Sequence, residues 1–302
     1  MNTVNARDPT KSIRKRERFR QAFGTRWQNV RGQNRQWIMN RDVLASERIQ
    51  SDYRRFFEGL ATEQIRGTVT NRQVRRGQHW TGSHITTAYD AGLRQARADM
   101  RRLGAADEIV RGATRRSDGD HQKRLAQEYE SVYYTVSDHV SYAVSQATNS
   151  LRDVIEESAG KRAFADRVNS MIRSTVRNRY RATANTAVTR AVNSALMASF
   201  VLAGVTEVGV AVEGSEAAEP LRENAHSVRT NAAGEVAFQT AGDTRVCAEC
   251  RGLAGERFTI SELQDDASLI PPRHVGCRCR VTPTKMKIGD TTIEAPEGVT
   301  AP

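Results

Sequence analysis

Between residues 118 and 158, Leu125, Tyr129, Val132, Val136, Val140, Ala143, Ala147, Leu151 and Val154 recur at steps of three and four. Such steps keep side chains on one face of a helix, and a stripe sustained this long must pack against something. The spacing predicts one long helix in a bundle or coiled-coil arrangement, ended near Gly160. Two packings satisfy it: an interface with a partner or a second copy, or an intramolecular helical hairpin.

The same period surrounds this stretch. From about residue 42, Leu44, Ile49, Tyr53, Phe56, Phe57 and Leu60 predict a helix broken at Gly67. A further helix is expected over 83–103, with Gly104 as its C-cap. Just before it, His79 and His84 flank Trp80, and with no cysteine or carboxylate beside them they read as packing or surface residues. Residues 162–197 carry Phe164, Val168, Met171, Ile172 and Val176, then Ala184, Ala187, Val188, Ala191, Val192, Ala195 and Leu196. This block predicts two helices interrupted near 178–181, the second with small residues that allow close packing.

At Gly204 the period changes. Val208, Val210 and Val212 alternate as a strand does, 213–234 reads as a loop, and 235–240 is expected to pair with the first strand. Beyond Val281 the chain is polar and reads as an extended tail. The fold class expected is mainly α: long helices in a bundle, with a small α+β C-terminal cap closed by a cysteine cluster. The segments are a basic arm (1–41), a helical domain (42–160), a domain with the cysteine cluster (161–283) and a tail (284–302). Hydrophobic residues make up 38% of the chain and aromatics only 6%, which suits a surface-rich helical protein better than a large compact enzyme. The longest apolar run, 195–205, is interrupted by Ser199 and Gly204 and is too short to span a bilayer. No secretory signal is visible, so a soluble protein made in the host cytoplasm is expected.

The net charge of +11 is unevenly placed. Eleven Lys and Arg stand against Asp8 and Glu17 in residues 1–41, so nine of the surplus charges lie there. Residues 1–25 read as a flexible leader. Arg14, Lys15, Arg16, Arg18, Arg20, Arg26, Arg31 and Arg35 are the candidates for binding nucleic acid or an acidic partner surface. The plainer reading is a solvated tail. Trp27 and Trp37, set between arginines, read better as anchors onto a protein surface than as platforms for bases.

Site chemistry is concentrated in the C-terminal third, where all four cysteines fall as Cys247-Ala-Glu-Cys250 and Cys277-Arg-Cys279, with His274 just ahead of the second pair. Two close pairs across a loop have the spacing of a structural zinc site, because each short turn aims two thiolates at one point and zinc takes four ligands in a tetrahedron. Cys247, Cys250, Cys277 and Cys279 make the plainest set; His274 is a spare, an outer partner or a replacement ligand. Disulfides and free thiols are the other two readings, the first disfavoured in a reducing cytosol. A catalytic zinc fits poorly. Cys247-Ala-Glu249 mimics half of a deaminase motif, but no Pro-Cys-x-x-Cys follows, and there is no His-Glu-x-x-His.

Asp243-x-Arg245-Val-Cys-x-x-Cys250-x-x-Leu253-x-Gly255, followed by Ile270-Pro-Pro-x-His274-x-x-Cys-Arg-Cys279, closely resembles the phage head morphogenesis family, the Mu-type minor head proteins of tailed viruses. Arg181-Ala-Thr-x-Asn185-Thr-Ala187 is similar to the helix leading into that domain, and Thr240-Ala-Gly-Asp243 to the segment before its first cysteine pair. The likeness runs over about 160–283. The chain departs from the pattern at Phe238, where the family often has Trp, and in 213–234, which looks like an insertion.

The resemblance implies a structural virion protein, not an enzyme. It implies a minor head protein assembled in few copies with the portal, acting in head morphogenesis, DNA packaging or genome ejection. The implied partners are the portal protein, the major capsid or scaffolding protein, and viral DNA through the basic arm; oligomeric assembly in the virion is expected. Two other classes remain: a zinc-dependent DNA-binding module, and a nuclease or toxin-like enzyme. Some family members carry an added enzymatic domain, whereas only about 20 residues follow Val281 here, too few for one.

Overall fold

The computed structural model of the chain describes residues 12–41, 44, 46–211, 228–230, 236–238, 248–253, 256–273, 277, 279–288 and 291–294. Helix dominates, as the periodicity predicts. The first eight helices are α1 (Ile13–Met39), α2 (Glu47–Ala61), α3 (Asn71–Arg75), α4 (Gly82–Arg102), α5 (Asp107–Ala113), α6 (Gly119–Glu156), α7 (Lys161–Thr175) and α8 (Arg181–Leu202). Two short ones, α9 (Ala248–Gly252) and α10 (Ile260–Asp265), lie among the strands.

Local chemistry sets many of the helix ends. Ser46 caps α2 by accepting from the Ile49 amide, and Thr70 with Gln73 forms a reciprocal capping box at α3. Gly104 follows α4 at φ 85° and Gly204 follows α8 at φ 76°, a left-handed conformation that glycine adopts without a Cβ penalty. The interruption expected near 178–181 is a π-helical turn, Val176–Tyr180, that joins α7 to α8 without a loop.

The chain divides into two compact units. One comprises residues 16–83 and 129–184. Its core includes Phe19, Phe23 and Trp27 of α1: Phe23 stacks on Tyr180 at 4.7 Å between centroids, and the Trp80 ring meets Phe23 edge-on at 4.9 Å. Around Tyr53, Phe57 and Phe164 a second aromatic group forms, with Tyr53 edge-on to Phe164 at 4.9 Å. Pairs of this kind each add about 0.5–1.5 kcal/mol beyond the area they bury. His79 is buried as a packing residue, its Nδ1 lying 2.8 Å from Thr81 Oγ1. The long stripe on α6 is buried from Leu125 to Val154.

The flexible leader expected over 1–25 is corrected in its described part, and residues 1–11 lie outside the described residues. From Ile13 onward it is helix α1, because Phe19, Phe23, Trp27, Val30 and Ile38 form an apolar stripe that the density of basic residues hides. Trp27 is indeed an anchor, and is 1% exposed.

The other unit comprises residues 1–15, 84–128 and 185–302, as far as these are described. Within it Gly92 of α4 lies close to α8, where an added Cβ would stand 2.4 Å from the Val192 carbonyl oxygen. The strands are β1 (Val205–Ala211), β2 (Val228–Thr230), β3 (Val236–Phe238), β4 (Arg257–Thr259), β5 (Arg280–Ile288) and β6 (Thr291–Glu294). Four of them form an antiparallel sheet in the order β4-β1-β5-β6, in which Val208 pairs with Pro283 and Val210 with Val281.

Two expectations are corrected here. Segment 235–240 contributes β3, which pairs with β2 and not with the first strand, and β2 itself falls inside the stretch read as a loop. The tail read as extended beyond Val281 supplies β5 and β6, two strands of the larger sheet. The strands share a compact unit with residues 84–128 and with α8 from Asn185.

Candidate metal centre

Three cysteines converge in the second unit. Cys250 comes from α9, while Cys277 and Cys279 stand immediately before β5. All three are buried, with at most 3% exposure, and their Sγ atoms lie within 4.8 Å of one another. Leu253 and Phe258 pack against them. The sequence-predicted ligands Cys247 and His274 lie outside the described residues.

The cysteine strand is held by α8. Thr189 Oγ1 donates to the Cys277 carbonyl oxygen at 2.8 Å, and Asn193 Nδ2 donates to that of Cys279 at 3.0 Å. The other side of the same amide accepts from the Val281 backbone N–H at 2.9 Å. Thr189 and Asn193 are four residues apart, hence on one helical face, and both are fully buried. On a neighbouring face Arg190 Nε and Ser194 Oγ donate to the Glu128 carboxylate at 2.6 and 2.7 Å, so that buried acid is fully engaged. Arg280, next to Cys279, donates to Asp99 Oδ2 of α4 at 2.6 Å, with both side chains almost wholly excluded from solvent. These side chains fix the backbone that presents Cys277 and Cys279.

Cys250 Sγ and Cys277 Sγ are 3.8 Å apart, and neither is joined in a disulfide. Four thiolates at the usual zinc–sulfur distance form a tetrahedron with an edge of about 3.8 Å, so the spacing fits a tetrahedral thiolate site. Electrostatics point the same way. Hydrogen bonding with Cys250 and then Cys279 holds the Cys277 thiol well below the usual range, whereas Cys250, beside Cys277 and then Cys279, is pushed up. Buried thiols this close cannot all ionise alone; a divalent cation stabilises every one of them as thiolate. The donor set therefore fits a soft, tetrahedral metal ion, with Cys250, Cys277 and Cys279 as three of its ligands.

The basic residues of the first helix have varied surroundings. Arg16 is buried, and Arg20 pairs with Glu17. Arg26 donates to the Gln64 carbonyl oxygen at 2.9 Å and lies over the Trp80 ring, while Arg35 bonds Asp166 at 2.7 Å. Arg14 and Arg18 are exposed, Lys15 and Arg31 half-buried. No cluster of these eight is formed around a single point. The sequence reading missed Thr189, Asn193, Asp99 and Arg280; the available signal for the first two was their four-residue spacing among the Ala and Val of α8.

Among the described residues no helix is long and apolar enough to cross a membrane. Neither the curated proteins nor the solved structures give a match to the chain. Residues 205–282 match the family described as Phage Mu protein F like protein, and that span runs from the start of β1 through α9, α10 and all three clustered cysteines into β5. Over this segment, about a quarter of the chain, the protein is similar to the Phage Mu protein F like family.

Proposed function

We propose that the protein is a structural minor head protein of a tailed virus, placed at the portal and acting in head assembly, genome packaging or ejection. The observation that carries this reading is the family match over 205–282, falling on the segment that contains the buried thiol cluster. The cluster acts in it as a structural zinc knot rather than a catalytic centre: its three described sulfurs are buried under Leu253 and Phe258. A closed thiolate site leaves no position for substrate. The long buried stripe of α6 serves the fold itself, so contacts with portal subunits fall to exposed surfaces. Viral DNA and the capsid or scaffolding protein are the remaining proposed partners, and the virion the proposed location.

The test is made in assembling virus. Heads and procapsids formed with the wild-type chain and with Cys277→Ser are purified, and the protein is quantified in them by mass spectrometry relative to the portal protein. Few copies per head are expected for the wild type, with sharp loss for Cys277→Ser. A wild-type chain that enters neither procapsids nor heads overturns the reading. Elemental analysis of the purified chain, expected to give about one zinc per molecule, tests the knot separately.

A further inference from the structure

A cavity of about 230 Å³ opens in the unit that holds the thiol cluster, and its polar lining comes from three distant segments: Lys15 of α1, Arg94, Gln95, Asp99 and Arg102 of α4, and Arg280 of β5. Four cationic side chains thus surround one carboxylate. That carboxylate is already committed: Asp99 Oδ1 holds Arg102 and Asp99 Oδ2 holds Arg280 at 2.6 Å. Asp99 and Arg280 are 2% and 4% exposed, so the pair sits in a low-dielectric floor where an uncompensated positive charge is costly. Burial first, opposed by Asp99 and aided by Arg280, holds the Arg102 guanidinium below its ordinary value. Lys15 is half-buried and Arg94 exposed, at the mouth.

We propose that this cavity binds a phosphate group, held by Lys15, Arg94 and Arg102 and backed by the Asp99–Arg280 pair. The charge surplus distinguishes phosphate from a carboxylate. A phosphate brings up to two negative charges and acceptor oxygens in a tetrahedron, which donors arriving from separate segments can share; a carboxylate brings one charge and a single plane. The site adjoins the thiol cluster through Arg280, next to Cys279, but no thiol lines it, and the proposal does not depend on the head-protein reading. Free phosphate, a nucleotide or the backbone of DNA could supply the group.

The experiment titrates inorganic phosphate into the full-length protein, followed by calorimetry, for the wild type, Arg94→Ala, Arg102→Gln and Arg111→Ala. Arg94 lies outside the Asp99 pairing, so its loss leaves the buried bridge intact; Arg111, exposed on α5 of the same unit, controls for net charge. Saturable binding is expected, unchanged by Arg111→Ala and weakened about tenfold or more by Arg94→Ala and Arg102→Gln. A short DNA duplex that displaces phosphate, with the same dependence on Arg94, identifies the DNA backbone as the source. A duplex that binds without displacing it identifies free phosphate or a nucleotide. Absence of saturable phosphate binding overturns the proposal, as do equal affinities for Arg94→Ala and Arg111→Ala, or Arg94-dependent binding of an acidic peptide but not of phosphate.

Discussion

Thr189 and Asn193 each satisfy backbone groups that no strand partner reaches, and the sequence separation of those bonds, 86 to 88 residues, hides them from any reading of local motifs. The cysteines were legible because their short spacings state a geometry; the helix that holds their carbonyls was not, because a hydrogen bond to backbone leaves no mark on the residue that receives it. Asn193→Leu leaves the Cys279 carbonyl and the Val281 N–H unsatisfied and is expected to cost about 3 kcal/mol; Thr189→Val, nearly isosteric, about 1–2 kcal/mol. Thermal unfolding of the variants checks both, at about 2–4 °C per kcal/mol for a unit of this size. His79 and His139 make a different prediction. Burial pushes both down to about 4 from the ordinary 6.5, with the Arg179 charge also lowering His139. The unfolded rings therefore take up protons below pH 6.5 while the folded ones resist until about pH 4, so stability falls as pH drops through that window. Unfolding temperature measured across it should decline for the wild type and flatten when both histidines become Gln.

Among the elements, the long helices could be read from their stripes because burial on one face imposes a period of three and four whatever the tertiary partners are. Helix α1 followed the same rule and was still obscured: eight Lys and Arg against Glu17 dominate its composition, while Phe19, Phe23 and Trp27 decide its packing. The strands β5 and β6 were obscured for the opposite reason, since their Thr and Lys content and Pro283 mask the short alternation of Met286 and Ile288 with lysines. Two glycines make the tertiary term measurable against the local one. Gly32 in α1 has nothing within 4 Å of an added Cβ, so Gly32→Ala is expected to stabilise by about 1 kcal/mol through helix propensity alone. In Gly92→Ala the new methyl meets the Val192 carbonyl oxygen at 2.4 Å and the Ala195 Cβ at 2.7 Å. That overlap is expected to cost about 1–3 kcal/mol in spite of the better helix former. Denaturant unfolding of the two variants should move in opposite directions.

For the whole molecule, two compact units suggest two responses to metal loss. The unit holding Cys250, Cys277 and Cys279 has its sheet anchored beside the cluster, and a structural zinc contributes on the order of 10–16 kcal/mol in small modules. Chelation is expected to release amide exchange protection in β1, β4 and β5, while α2 and α7 in the other unit retain theirs. Hydrogen exchange followed by mass spectrometry reads both at once; loss spread evenly over all five elements, or none in the strands, counts against a structural metal. The clasp from α8 has a further consequence for how this segment can travel between genomes. The family match begins at residue 205, yet Thr189 and Asn193, which hold its second cysteine pair, lie upstream of it. A cassette cut at the match boundary would arrive with two buried carbonyls orphaned. Recombination that exchanges this segment intact must therefore take the preceding helix with it, and chimaeras joined before Thr189 should fold where those joined at residue 205 do not.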